Sequence, residues 1–397
     1  MPRLWNILPL YAGGAKPRHL PAPFLIGKWI ERAGQLPLYI ALREPLLSGM
    51  QIVGVIRALN EHSHRWGRIN IGVESISWPF FSQQTLPELR SIHLESKDYN
   101  VGPLFRLFPE RLVSLSVPQM VRLPMEHLTQ IRLGNVTIFE LFDTLQGAPN
   151  LIKFIVRLND SRVEDIHNPL PTIVHSRLQD FTICLHQNTR SLEKLACTSL
   201  KSFTFNDECN PIQMSPFIAF LKNSQNSLIN LSLSVEIQLS EFDTASICQG
   251  FHLLQHLSLE SFSRLSKSIM NTLISFLAEF TSTDGEKVPT YLPNLRSLRL
   301  ELNSLSNWTK LPNIFGYPAG HKPGNHRPAL NFIAILTYEW DDRFTDKWSL
   351  PDVMDNETLQ RILWLGNSGV KWQCEYDQSD LNFDLIQYTS DLYDSSD

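Results

Sequence analysis

The residues best suited to chemistry do not stand in the patterns that catalysis or metal binding requires. Residues 13–16 (Gly-Gly-Ala-Lys) lack the spacing of a phosphate-binding loop, in which four residues separate the first glycine from Gly-Lys-Ser/Thr. His252 and His256 fall in a predicted strand, where residues four apart lie about 13 Å apart and cannot share a metal ion. Asp341 and Asp342 are adjacent, so their carboxylates point to different sides.

Other reactive patterns are also missing from the sequence. It contains no Gly-x-Ser-x-Gly, no His-Glu-x-x-His and no protein-kinase motif set. The five cysteines are odd in number and form no Cys-x-x-Cys pair, which favours a reducing compartment over a disulfide framework or zinc site. We therefore predict a protein that is not an enzyme and that holds no metal and no cofactor.

Composition narrows the class of protein further. The 397 residues are 43% hydrophobic and 19% charged, with a net charge of −5, which excludes disorder over most of the chain. A pI near 6.2 without a Lys/Arg block argues against nucleic-acid binding. No apolar run reaches the roughly 18 residues of a membrane span, and no signal peptide follows Met1. We expect a soluble intracellular protein, cytoplasmic or nuclear.

One pattern, apolar-x-x-apolar-x-apolar, recurs ten times along the chain. We call its first residue the anchor of a repeat. The ten anchors are Trp66, Leu89, Leu112, Leu128, Leu151, Leu178, Leu200, Leu228, Leu254 and Leu295. Successive anchors are 16 to 41 residues apart and mostly 22 to 28, close to the period of about 20 to 29 residues of leucine-rich repeats.

The same pattern predicts which side chains enter the core. Residues two apart on a strand share a face, so anchor+3 and anchor+5 point inward and anchor+2 and anchor+4 point to the opposite face. All 30 anchor and inward positions are apolar, whereas 19 of the 20 outward positions are polar, Ile155 being the exception. We therefore predict a parallel sheet on the concave side of a curved solenoid.

Helical periodicity between the strands completes the predicted fold. Residues 138–147, 217–221, 270–277 and 359–363 have it, with Ser215 and Pro216 placed to begin the second of these helices. Strand and helix in alternation predict an α/β leucine-rich-repeat horseshoe of about ten irregular repeats. Residues 303–328 are rich in Asn, Pro and Gly and predict a long loop, after which residues 330–335 offer a last unit.

Three segments follow from these patterns. Residues 1–47 form a helical lead-in that also contains an alternating strand at 38–42, and residues 48–374 form the solenoid with an irregular C-terminal cap. Residues 375–397 contain seven acidic and no basic residues and predict a solvated acidic tail.

The outward face of the sheet is the candidate binding surface. A concave sheet presents many side chains at fixed spacing, and its long polar residues can anchor a partner protein. The candidate contacts are His93, Arg132, Lys153, His256 and Arg299. The same residues could instead simply keep an exposed sheet soluble.

Three N-terminal segments resemble the fungal, mushroom-type F-box proteins with degenerate leucine-rich repeats. They are residues 2–8 (Pro-Arg-Leu-Trp-Asn-Ile-Leu), residues 29–40 (Trp-Ile-Glu-Arg-Ala-Gly, then Leu-Pro-Leu and Ile40) and residues 62–66 (His-Ser-His-Arg-Trp). In that family the first phrase directly follows the F-box, which this sequence lacks.

The resemblance implies a function as the substrate-binding arm of an SCF-type ubiquitin-ligase subunit. A Skp-family adaptor would then be a partner only if an F-box is encoded upstream of Met1. The alternative is a stand-alone leucine-rich-repeat scaffold or inhibitor without a ligase link. In either case the expected partner is a protein on the concave face, not a nucleic acid or a membrane.

Overall fold

The chain is an α/β protein whose described residues include open parallel sheet and seven α-helices, and the α/β class and the parallel strand pairing agree with the prediction. A computed structural model describes residues 5–11, 22–43, 49–72, 86–95, 111–120, 123–159, 170–185, 189–207, 214–224, 226–235, 241–260, 267–283, 286–302, 308–315, 330–338, 356–378, 381–384 and 386–387. They fall into two compact units, Met1–Pro169 and Leu170–Asp397.

The first unit contains seven strands that pair in chain order, all parallel. They are β1 (Ile7–Tyr11), β2 (Leu38–Arg43), β3 (Trp66–Gly72), β4 (Ser91–Glu95), β5 (Ser114–Val117), β6 (Gln130–Val136) and β7 (Lys153–Leu158). Its helices are α1 (Pro23–Arg32), α2 (Gly49–Asn60) and α3 (Ile138–Gly147), with a 3-10 turn at Ser63–Arg65.

The second unit contains the remaining twelve strands. They are β8 (Ile173–Val174), β9 (Asp180–Leu185), β10 (Leu195–Ala196), β11 (Ser202–Asp207), β12 (Asn230–Val235), β13 (His256–Glu260), β14 (Phe280–Thr283), β15 (Glu286–Pro289), β16 (Ser297–Leu302), β17 (Phe332–Tyr338), β18 (Lys371–Gln378) and β19 (Leu381–Asp384). Its helices are α4 (Met214–Lys222), α5 (Glu241–Gly250), α6 (Lys267–Leu277) and α7 (Asn356–Asn367), with 3-10 helices at Thr189–Lys194 and Trp308–Phe315.

The strands of the second unit form one main sheet and two small ones. The main order is β9-β11-β12-β13-β16-β17-β18-β19, parallel except for the last pair, which is antiparallel. Strands β8 and β10 pair in parallel, and β14 and β15 form an antiparallel hairpin. The hairpin lies in the 41-residue step between the last two anchors, yet β13 and β16 still pair directly with each other.

The predicted alternation of side chains is confirmed in every repeat. All 30 anchor, anchor+3 and anchor+5 side chains are buried, the most exposed being Ile92 at 6%. None of the 20 anchor+2 and anchor+4 side chains is buried. Each repeat therefore places three apolar side chains in the core, and full burial of each is worth about 1.5–3 kcal/mol.

Most repeats enter their strand through the same turn. In six repeats the anchor N–H donates to the carbonyl three residues earlier, over 3.0 to 3.2 Å. The residue at that earlier position, anchor−3, is buried in five of these turns: Met125, Ala148, Cys197, Phe251 and Leu292. In the repeat of Leu178 the position holds the buried His175, and its Nδ1 accepts from the Leu178 N–H at 3.1 Å.

A single carbonyl at anchor+1 joins each strand to the next. The Thr129 carbonyl, for example, accepts from the N–H groups of Ile152 at 2.8 Å and Lys153 at 3.0 Å. The carbonyls of Val113, Gln179, Lys201, Ile229, Gln255 and Arg296 accept pairs of N–H groups in the same way. This repeated bond aligns the start of each of these strands with its neighbour.

Side chains at anchor−1 form a second link between repeats. Asn150 Nδ2 donates to the Glu126 carbonyl at 2.6 Å, and Asn294 Nδ2 donates to the His252 carbonyl at 2.8 Å. In both cases the acceptor is the anchor−2 carbonyl of the preceding repeat. The Pro-Asn-Leu phrase before these anchors therefore combines a turn residue, a donor to the previous repeat and a core leucine.

The predicted helices are present, with one difference at a start. Helix α3 ends at Gly147, as its sequence predicts, and begins with a capping box in which Thr137 and Glu140 bond each other's backbone N–H. Helix α4 begins at Met214, so Ser215 lies inside its first turn and not at its N-cap.

The sheet extends beyond the predicted repeats at both ends. In the predicted lead-in, β2 confirms the strand predicted at residues 38–42, whereas β1 lies where no strand was predicted, and both continue the parallel pairing toward β3. Strand β18 crosses the predicted tail boundary at residue 375, and β19 follows it. The predicted loop 303–328 contains the 3-10 helix Trp308–Phe315, which forms because Leu311, Ile314 and Phe315 are apolar enough to be buried.

Five phenylalanines form an aromatic cluster in the core of the second unit: Phe181, Phe203, Phe205, Phe217 and Phe220. Phe203 is fully buried, and its ring centroid lies 4.9 Å from that of Phe220 and 5.6 Å from that of Phe181. Phe217 and Phe220 belong to α4, so the cluster fixes this helix against β9 and β11.

We predict that Phe203→Ala lowers the free energy of unfolding of the second unit by about 3–5 kcal/mol, because it leaves a cavity among four other rings. Urea denaturation followed by circular dichroism measures the change. Phe24→Ala is the control, since Phe24 is 70% exposed on α1. Equal effects of the two substitutions would contradict the proposed role of the cluster.

Candidate binding face

The outward side chains form two continuous rows in each unit, because neighbouring strands pair without a shift at these positions. We call these 20 anchor+2 and anchor+4 side chains the polar face. In the first unit they are Arg68, Asn70, Ser91, His93, Ser114, Ser116, Gln130, Arg132, Lys153 and Ile155. In the second unit they are Asp180, Thr182, Ser202, Thr204, Asn230, Ser232, His256, Ser258, Ser297 and Arg299.

Three of the five predicted contacts lie on the first unit. His93 and Arg132 share a row with Ser116 between them, which places their Cα atoms roughly 10 Å apart at a strand spacing of about 4.8 Å. Lys153 lies in the other row, opposite Gln130. Arg132 and Lys153 are therefore diagonal neighbours, with Cα atoms roughly 8 Å apart, whereas His93 is two strands away from Arg132.

His93 already contacts a carboxylate on its own strand, β4. Its Nε2 lies 2.8 Å from Glu95 Oε1, and both side chains are partly accessible. Arg132 and Lys153 are exposed, and neither forms an ion pair within the part of the chain that the structure describes.

The other two predicted contacts lie on the second unit. His256 is exposed and pairs in register with Asn230 on one side and Ser297 on the other. Arg299 is exposed and lies opposite Ser258 and Ala334. Their in-register neighbours on the adjacent strands are therefore small and uncharged.

Strand β2 adds an aromatic position that the repeat pattern missed. Tyr39 lies in register with Arg68, whose guanidinium carbon lies 5.5 Å from the centre of the tyrosine ring. Ile40 and Leu42 have the same spacing as the inward residues Ile69 and Ile71 of β3, and this spacing could have identified β2 as a further repeat.

Arg65 and Trp66, in the segment that resembles the F-box family, have structural roles. The Arg65 guanidinium is buried and donates to the Leu36 carbonyl through Nη2 at 2.9 Å and Nε at 3.3 Å. Trp66 Nε1 donates to the Leu59 carbonyl at 3.2 Å. Burial, followed by the charge of Arg65, lowers the pKa of His62, so protonating His62 in acid costs the folded state stability.

Reactive groups in the described residues sit apart from one another. No three His, Cys, Asp or Glu side chains among these residues are placed to hold one metal ion. Cys197 and Cys248 are buried, and burial raises the pKa of the Cys197 thiol to about 12. The glycine-rich segment 13–16 and the pair Asp341 and Asp342 lie outside the described residues.

Comparison with known proteins leaves the resemblance as a prediction, since the chain matches no protein-family model and no curated protein. In the described part of the chain, no helix combines the length and the apolar composition needed to cross a membrane.

We predict that Cys197 resists thiol alkylation in the native protein, because it occupies the buried anchor−3 position and its thiolate is disfavoured. Brief iodoacetamide labelling at pH 8, followed by peptide mass spectrometry, should modify the half-buried Cys184 first and Cys197 only in urea. Native labelling of Cys197 at the rate of Cys184 would contradict the burial of this turn.

Proposed function

We propose that this chain is a non-catalytic protein-recognition module that binds a partner protein on its polar face. The proposed architecture is a leucine-rich-repeat solenoid of about ten irregular repeats, in which the polar face lines the concave side. In this proposal the module is intracellular and uses no cofactor.

The observation that carries the proposal is the division between the two faces of the strands. Thirty inward side chains are buried, while twenty outward ones remain accessible in aligned rows. Because none of the twenty outward side chains is buried, each unit offers an ordered array of accessible side chains to a partner. An array of this kind suits recognition of an extended protein surface better than enclosure of a small substrate.

By its resemblance to the F-box family, the module is the substrate-binding arm of an SCF-type ubiquitin-ligase subunit. The alternative is a stand-alone scaffold or inhibitor without a ligase link. An F-box encoded in frame directly upstream of Met1 would favour the first proposal, and a stop codon there would favour the second.

The adaptor tests whether this chain docks to it without an F-box. We expect that the 397-residue chain does not co-purify with a Skp-family adaptor, because in the resembling family the F-box makes that contact. The pull-down should include, as the control, the same chain fused behind a known F-box. Robust co-purification of the unfused chain would contradict this expectation and assign docking to its N-terminal segment.

A second experiment locates the binding surface. Partners are first identified by proximity labelling in the native cell and are then tested for binding to purified variants. Ser116→Trp and Ser232→Trp each place a bulky ring on the polar face of one unit, and we expect at least one of them to weaken binding about tenfold or more.

The matched control is Gln146→Trp, because Gln146 is exposed on α3. Circular dichroism should verify that all three variants fold. Loss of binding in the control, with full binding by both face variants, would move the site from the sheet to the helices.

A further inference from the structure

The polar face carries its charge unevenly between the two units. Its ten positions in the first unit contain Arg68, Arg132 and Lys153 and no Asp or Glu. Its ten positions in the second unit contain one acid, Asp180, and one arginine, Arg299. The whole chain has 35 Lys and Arg against 40 Asp and Glu, so the first unit concentrates positive charge on an acidic protein.

We propose that the first unit binds an acidic peptide segment of the partner protein through Arg132 and Lys153. This inference rests on the proposed recognition function and specifies the chemistry of its partner. The two residues are exposed, lie on neighbouring strands and form no ion pair with other described residues. A partner carboxylate therefore meets a cation that no described acidic side chain neutralises.

The spacing of the two cations fits an extended peptide. Their Cα atoms lie roughly 8 Å apart, and side chains two residues apart on an extended strand lie about 7 Å apart on one side. A segment with two acidic residues separated by one other residue can thus reach both cations. Arg132 provides a planar donor pair for one carboxylate, and Lys153 provides a point charge for the other.

Ile155 adds an apolar contact to the same site. It is the one apolar residue among the 20 positions of the polar face, and it pairs in register with Arg132. An apolar side chain next to the two acids can therefore pack beside the arginine stem.

This composition favours an acidic peptide over nucleic acid. A protein on duplex DNA commonly neutralises about six to ten phosphates, far more than two adjacent cations can contact. The third cation, Arg68, lies three strands from Arg132 and in the other row, roughly 16 Å away, and stacks on Tyr39.

The first test uses the full chain and a fluorescein-labelled probe peptide with the core Glu-Ser-Glu-Ser-Leu, followed by fluorescence anisotropy in 20 mM salt. We expect Arg132→Glu with Lys153→Glu to weaken binding about tenfold or more. A Gln-Ser-Gln-Ser-Leu peptide should lose binding to a similar extent. Raising the salt to about 200 mM should weaken binding of the acidic peptide to the unmodified protein.

The control is Arg57→Glu with Lys222→Glu, which makes the same charge change at exposed positions of α2 and α4. We expect it to bind the acidic peptide nearly as well as the unmodified protein. Should the face variant unfold, Arg132→Gln with Lys153→Gln replaces it. Equal binding by face variant and control, no binding up to 1 mM protein, or preferential binding of a 20-nucleotide single-stranded DNA would each overturn the inference.

The partner found by proximity labelling separates this inference from the proposed function. If Ser232→Trp abolishes its binding and the Arg132 and Lys153 reversal does not, recognition by the polar face stands and the acidic-peptide site is overturned. If neither change affects binding, both proposals fail. If the reversal alone abolishes binding, both are supported.

Discussion

The register between neighbouring parallel strands is the constraint on which the rest of this structure depends. A carbonyl at anchor+1, such as that of Thr129, receives two N–H groups from the next repeat and sets where the next strand begins. Because side chains alternate with a period of two, a slip of one residue would turn the core leucines outward and the polar residues inward. Core burial and an ordered polar face are thus two results of one hydrogen-bonding pattern.

The sequence predicted the repeats because burial leaves a strong trace at fixed spacing, and every predicted inward residue is buried. The sequence was less informative where a strand has few apolar residues or does not belong to the repeating pattern. Strand β1 shows only two inward residues, Leu8 and Leu10, and lies among residues that do not repeat. The bond from Asn150 to the Glu126 carbonyl joins residues 24 apart, so only the folded chain reveals why asparagine precedes that anchor. The alternation of side chains along each strand was enough to predict that all five candidate contact residues point outward. Their division between the two units, three on the first and two on the second, became clear only from the structure.

The distribution of charged residues on the polar face differs between the two units, and the overall composition does not show this difference. The low overall content of charged residues predicts a partner with little charge. The polar face of the second unit agrees with this prediction, because most of its residues are Ser, Thr and Asn. The first unit does not, because its outward cations have no acidic counterpart among the ten positions. The polar face of the first unit therefore suits charged groups, and that of the second unit suits neutral hydrogen-bonding groups.

The hairpin β14–β15 shows how little the sheet depends on the length of chain between its strands. It occupies a step of 41 residues, while another step has only 16, and the pairing of β13 with β16 is undisturbed. Loop closure becomes only slightly more unfavourable as a loop lengthens, so added segments cost the fold little. The connections are therefore the part of this protein where evolution can add new structure, while the spacing of the anchor and the two inward residues after it is the same in all ten repeats.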